Sequence, residues 1–216
     1  MPARLRPTAP IAPDAILVGD PGRALMLAQE LLTQPKMSHH ARGLWGYGGE
    51  TADGRPLTIQ STGMGGPSAA VVLTDLAELG VQRAIRIGTC TALDDRSRTG
   101  ELVLVDEAHY LGRPDEAGLP SIELTNALAD SLEEEARRGA VASLDSLHSP
   151  GAERPPAGEV ADMQTAALLQ KAKELNLEIA ALLLVAEGPN QESLDEEAVE
   201  AAAKRAGRAA AAVLST

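Results

Sequence analysis

The sequence predicts an α/β fold in three layers, a central twisted mixed sheet with helices on both faces. Three observations predict it. The apolar runs Ala15–Val18, Ala84–Ile87 and Ile179–Val185 are short, and most of their residues are aliphatic, as in strands buried on both faces. Longer segments with apolar residues at helical spacing separate these runs, so strand and helix alternate. Glycine-containing turns follow three of the strands, where open α/β sheets carry their ligands.

Taken in order, Ala15–Val18 is a strand that ends at Gly19-Asp20-Pro21-Gly22, and Arg23 to Leu32 is a helix. Leu57–Ser61 is a second strand, closed by Gly63-Met64-Gly65-Gly66-Pro67-Ser68. Ala69–Leu79 is a helix stopped by Gly80. Ala84–Ile87 and Leu102–Val105 are strands, and Ile122–Arg138 reads as one long helix ending at Gly139. A short strand starts at Val141, Val160–Leu175 reads as helix, and Ile179–Val185 is a buried strand. Ser193-Leu194-Asp195-Glu196 forms a capping box for a last helix running to about Val213. Ser149–Gly158, rich in Pro and Gly, reads as a surface loop, so residues 1–216 form a single domain.

Composition excludes several classes. The chain has 216 residues and a net charge of −12, which argues against nucleic acid or an anionic membrane as partner. The single Cys90 makes no internal disulfide, and no Cys/His spacing suggests zinc or another metal. His39 and His40 are adjacent, but no Asp, Glu or Cys nearby completes a ligand set. No apolar run reaches the length of a spanning helix and no signal-peptide core precedes Asp14, so a cytoplasmic protein is expected. There is no Phe, and Trp45, Tyr47 and Tyr110 are the only aromatics. The core must be aliphatic and alanine-rich.

Two arginines stand out. Arg23 lies on the first turn of a helix that follows a glycine turn, where a bound anion is favoured. Arg86 interrupts the apolar strand Ala84-Ile85-Arg86-Ile87-Gly88-Thr89, where a lone charge is costly. Either the two form a phosphate pocket with Gly19 and Thr89, or each pairs with a carboxylate such as Asp20. Cys90 reads as packing, and His109 as lining a pocket mouth or lying on a surface loop.

Gly19-Asp20-Pro21-Gly22-Arg23, Ser61-Thr62-Gly63-Met64-Gly65-Gly66-Pro67-Ser68 and Arg86-Ile87-Gly88-Thr89-Cys90 resemble, in order and spacing, motifs of the nucleoside phosphorylase family. The resemblance is to its hexameric branch, which contains bacterial purine nucleoside phosphorylase and uridine phosphorylase. Arg42-Gly43-Leu44-Trp45-Gly46-Tyr47 extends the match. Ser143–Pro150 and Asp162–Ala167 are weaker copies of later motifs.

The resemblance implies reversible phosphorolysis of a ribonucleoside to free base and ribose 1-phosphate. Inorganic phosphate is the co-substrate, no cofactor is needed, and purine is favoured over pyrimidine. It implies phosphate contacts from Gly19, Arg23, Arg86 and Thr89. Arg42 matches an arginine lent across a subunit interface, hence a homo-oligomer, dimer or hexamer. Arg23 and Glu187 are the candidate catalytic residues, with Glu187 protonating the base or, alternatively, starting a solvated loop. Leu147, His148, Asp162, Met163 and Gln164 fall on nucleoside-binding positions, although His148 is equally readable as an exposed loop residue.

The nucleoside half departs from the family pattern. Gln164 stands where the family has its ribose-binding carboxylate, Leu147 where it has a base-stacking aromatic, and Ala186-Glu187 where the purine branch has Ser-Asp. These departures support an alternative: a non-catalytic or substrate-shifted member that keeps an oxyanion pocket. The expected tests are that Arg86→Ala abolishes phosphate binding and leaves the fold, and that Gln164→Glu raises turnover if the site is only weakened.

Overall fold

The computed structural model describes residues 4–111, 113–146 and 158–215. Ten strands and five helices succeed one another. They are β1 (Asp14–Val18), α1 (Pro21–Leu31), β2 (Thr33–His39), β3 (Gly46–Glu50), β4 (Pro56–Ser61), α2 (Gly66–Glu78), β5 (Arg83–Ala92) and β6 (Leu102–Tyr110). They continue with β7 (Arg113–Gly118), α3 (Ile122–Ser131), β8 (Arg137–Ser143), β9 (Val160–Asp162), α4 (Thr165–Leu175), β10 (Glu178–Glu187) and α5 (Glu196–Leu214).

All strands join one mixed sheet. The parallel pairs β1–β4, β1–β5, β5–β10, β6–β8 and β8–β9 lie beside antiparallel β2–β3, β3–β4, β5–β9, β6–β7 and β6–β10. Because β10 pairs with both β5 and β6, and β9 with both β8 and β5, the sheet curls into a closed ring at that end. β5 is the hub. Along one edge it runs beside β10 from Arg83 to Thr91. Along the other it pairs with β1 only from Arg83 to Arg86, and with β9 only at Thr91 and Ala92.

Two apolar clusters make the three layers. On one face Ala69, Val72, Leu73 and Leu76 of α2 and Ala166, Leu168, Leu169 and Ala172 of α4 pack on Ala84, Cys90, Leu183 and Val185. On the other, α1, α3 and α5 pack on Ile85, Ile87, Leu182 and Leu184 through Leu27, Leu124, Leu128, Ala206 and Ala210. The alanines of α5 replace the missing aromatics by bringing the helix close. No helix among the described residues is long and apolar enough to cross a membrane.

The structure corrects the sequence-based boundaries at several points. The segment predicted as one helix over Ile122–Arg138 is α3 to Ser131 followed by β8, which starts at Arg137. Its Ala, Glu and Arg content favours helix, but parallel pairing with β6 decides the outcome. Val160–Asp162 is strand, not the start of a helix. The N-cap of α5 is Asp195, whose carboxylate accepts from Ala198 N at 2.8 Å. β2, β3 and β7 are strands the apolar pattern does not reveal, because β2 is mostly exposed and β3 is glycine-rich. His109 lies within β6, not on a loop, with its Nε2 3.5 Å from Glu107.

Candidate active site

The carboxyl ends of β1, β4 and β9 meet beside the middle of β5. The segments that follow β1, β4 and β9 lead into the N-termini of α1, α2 and α4, whose dipoles favour an anion. The resulting cleft is about 440 Å³ and is lined by Gly19–Arg23, Gly63–Gly65, Asp162–Gln164 and residues of β5, with Arg42 at its rim.

Each wall has a local cause. β1 stops because Asp20 turns the chain and caps α1, its Oδ1 accepting from Arg23 N at 2.7 Å. Pro21 suits the first helical turn, where no N–H is needed. After β4, Thr62 N donates to Val18 O at 2.7 Å and ties the two turns together. Gly63 then takes φ +72°, and a Cβ there would lie 2.8 Å from Ser68 Oγ. On β5, Gly88 lets the Arg86 guanidinium fold back along the strand: a Cβ at 88 would lie 2.8 Å from Arg86 Nη2.

The arginines divide into two kinds. Arg86 is only 4% exposed and is held on three sides. Its Nε donates to Thr165 Oγ1 at 3.0 Å, Nη1 to Gln164 Oε1 at 2.7 Å and Nη2 to Asp162 Oδ2 at 2.9 Å. Two of its five N–H groups are therefore left for a ligand. Its carboxylate partner is Asp162, so the pairing with Asp20 considered from the sequence does not form. Arg23 and Arg42, by contrast, make no side-chain hydrogen bond or ion pair with any described residue. Burial lowers the Arg23 pKa, Asp20 opposes the shift, and the neighbouring charge of Arg86 adds to it. A guanidinium in that state remains charged, with Asp20 and Glu200 near it but neither in hydrogen-bond contact with its side chain. Arg42 is exposed, sits at φ +61°, ψ 18°, and reaches the cleft of its own chain. The Thr89 hydroxyl has no partner among the described residues.

The nucleoside positions fare differently. Met163 lines the cleft, as does Met64, which is 83% exposed. Gln164 is 4% exposed, and its amide is fully engaged by the protein. Nε2 donates to Gly63 O at 2.6 Å and Gly65 O at 3.4 Å, and Oε1 accepts from Arg86 and, at 3.0 Å, from Thr62 Oγ1. Asp162 touches the cleft only at its inner wall and is 1% exposed.

Glu187 does not line the cleft. A bulge between Val185 and Glu187 sets it opposite Thr91, whose hydroxyl donates to its Oε1 at 2.7 Å. The loop after it is pinned by Gln191, which accepts from Thr99 N and donates to Ser97 O, both at 2.8 Å. Leu147 and His148 lie outside the described residues.

Cys90 is buried on β5, and burial, with Asp162 adding to it, pushes its thiol pKa well up, as suits a packing residue. The sequence reading missed the supports behind the arginine. These are Ser143, whose Oγ donates to Asp162 Oδ1 at 2.6 Å, and Thr165, whose Oγ1 donates to Asp162 Oδ2 at 2.6 Å. The spacing of Asp162 and Thr165, an acid three residues before the first helical turn, is the one signal that points to them.

Known proteins share this framework. A purine nucleoside phosphorylase of the DeoD type from Clostridium perfringens is 29% identical over 194 residues, 82% of each chain. One from Oceanobacillus iheyensis is 36% identical over 99 residues, 45% of this chain and 42% of the relative. Among solved structures, that of purine nucleoside phosphorylase from Toxoplasma gondii in complex with immucillin-H superposes with a TM-score of 0.81. It is 21% identical and covers 94% of this chain and 90% of its own, so it shows the shared fold. The Phosphorylase superfamily model matches residues 13–216, and the chain belongs to that family.

Proposed function

We propose that the protein catalyses phosphorolysis of a ribonucleoside, purine in preference to pyrimidine, with inorganic phosphate as co-substrate and no other cofactor. One observation carries the reading. In a chain of net charge −12, Arg23, Arg42 and Arg86 line one cleft at three helix N-termini, and neither Arg23 nor Arg42 makes a side-chain hydrogen bond or ion pair with a described residue.

Phosphate sits between Arg23, Arg42, Arg86, Thr89 and the Gly19 turn, which fixes one oxygen for attack on C1′. The C1′–N bond breaks as the C1′–O bond forms, and the electron pair leaves with the base. Positive charge develops on the sugar, and the adjacent dianion stabilises it. Met163 and Met64 supply the apolar floor and rim for the sugar and base. The departing base takes a proton, and Glu187 is the acid the family resemblance offers for it, although it stands outside the cleft against Thr91. Purine is favoured because the relatives are purine nucleoside phosphorylases, and because only about a dozen residues separate Pro150 from Asp162, leaving no room for a pyrimidine-reading insertion. The reading includes a homo-oligomer working in the cytoplasm. Arg42 stands at the rim of its own cleft, from which an oligomer would also lend it to a neighbouring one.

A second reading is a member that binds the oxyanion without turnover. It is favoured by the engagement of Gln164 within the protein and by the tie between Glu187 and Thr91. Base release from purine and pyrimidine nucleosides, with and without phosphate, separates the two. Phosphate-dependent release supports phosphorolysis and names the base. Release without phosphate assigns hydrolysis, and phosphate binding without any release supports the second reading.

A further inference from the structure

We propose that Asp162 and Gln164 are positioning residues for Arg86 and not ligands of the nucleoside, an assignment that rests on the phosphate reading of the cleft. Asp162 spends all its capacity inside the protein. It accepts from Ser143 Oγ at 2.6 Å, Thr165 N at 3.0 Å, Thr165 Oγ1 at 2.6 Å and Arg86 Nη2 at 2.9 Å. Three of these donors meet Oδ2 and Ser143 meets Oδ1, with Thr165 N also 3.2 Å from Oδ1, and the carboxylate is 1% exposed. Burial behind these donors keeps it from a sugar hydroxyl.

Gln164 is likewise held within the protein, with Thr62 Oγ1 sharing its one proton between Gln164 Oε1 and Val18 O, each at 3.0 Å. Its oxygen faces Arg86 and Thr62, and its nitrogen faces the carbonyls of Gly63 and Gly65. The side chain thus fastens the Gly63–Gly65 turn to the guanidinium, so two walls of the cleft move as one. Thr165 closes the set: its hydroxyl accepts from Arg86 Nε at 3.0 Å and donates onward to Asp162. The guanidinium is held along one edge and at one corner, and its spare N–H groups point where the collar leaves them. A carboxamide at 164 also matters for charge. Arg86 has one carboxylate against it, so it keeps attraction for an anion that a second carboxylate would cancel.

The test uses inorganic phosphate, measured by calorimetry and as the phosphate KM, against the nucleoside KM. Asp162→Asn keeps the shape and removes the charge. It is expected to weaken phosphate binding roughly tenfold while the nucleoside KM stays within about twofold. Gln164→Glu sets a carboxylate against the Gly63 carbonyl and a second one against Arg86. It is expected to weaken phosphate binding by a similar factor without improving the nucleoside KM. Thr165→Val, which loses only a hydroxyl, is expected to weaken it roughly threefold and covers the case in which Asp162→Asn does not fold. A merely structural role would lower thermal stability without splitting the two constants.

A rise in the nucleoside KM with unchanged phosphate affinity overturns the assignment and returns both residues to the sugar. A wild-type protein that binds no phosphate overturns this assignment and the phosphate reading together. Phosphate binding that is equal in the wild type and the variants overturns this assignment alone.

Discussion

Removing the Arg86 side chain does more than empty a ligand site. Asp162 is 1% exposed, and among the described residues Arg86 is the one cation that hydrogen-bonds it. In Arg86→Ala the carboxylate stays buried with three of its four donors, Ser143 Oγ, Thr165 N and Thr165 Oγ1. Breaking a buried pair by deleting one partner costs about 3–5 kcal/mol, and the remaining donors place this case near about 3 kcal/mol. For a chain of this size that corresponds to a drop in Tm of roughly 6–12 °C. The sequence alone suggests that this variant leaves the fold intact, and the ion pair adds that the fold is kept at lower stability. Thermal unfolding by circular dichroism, on Arg86→Ala, Asp162→Asn and the double variant, measures the coupling. Asp162→Asn is expected to lower Tm alone and to raise it in the Arg86→Ala background, because it removes the orphaned charge. Equal losses in both backgrounds, or an Arg86→Ala protein that melts within a degree of wild type, would refute the reasoning.

Arg23→Gln behaves in the opposite sense. Its guanidinium makes no side-chain hydrogen bond or ion pair with a described residue, and Asp20 keeps its bond from Arg23 N, so stability is expected to hold within about 0.5 kcal/mol. Calorimetric phosphate affinity falls roughly 10- to 150-fold, the range for losing a hydrogen bond to a charged group. The burial that raises the Cys90 pKa keeps the thiol protonated through neutral and mildly alkaline pH. Labelling by a thiol reagent should therefore stay slow between pH 7 and pH 9 and become fast only in denaturant; fast native labelling would contradict the burial. Asp195→Ala removes the cap of the 19-residue helix α5, at a cost of about 1 kcal/mol and a Tm drop of roughly 2–4 °C in differential scanning calorimetry. A change in phosphate affinity in that variant would show that α5 couples to the cleft.

Much of the phosphate half was legible because its determinants are local. Gly19-Asp20-Pro21-Gly22 ends a strand and starts a helix within five residues, and Arg86 is conspicuous as a charge in an apolar run. The partner of Arg86 was not legible, since Asp162 lies 76 residues away and is brought close only by β9 pairing with β5. Gln164 looked like a weakened sugar ligand, because its saturation depends on carbonyls 99 and 101 residues distant. Glu187 is directed by a bulge, which the composition of β10 does not announce. The strand from Val141 was legible, but Arg137 and Arg138 at the start of β8 read as helix, because propensity is local and the parallel pairing with β6 is not.

The position of the cleft follows from the way β5 changes neighbours. β1 leaves it after Arg86 and β9 joins it only at Thr91, so the segment Ile87–Cys90 has no strand beside it on that edge. That edge of β5 therefore offers main-chain polar groups to the cleft as well as side chains. The turn at Gly19–Pro21 is what keeps a strand absent there, since Pro21 cannot extend a hydrogen-bonded ladder. A substitution that lengthened β1 by even two residues would close the cleft with backbone, without touching any arginine that lines it.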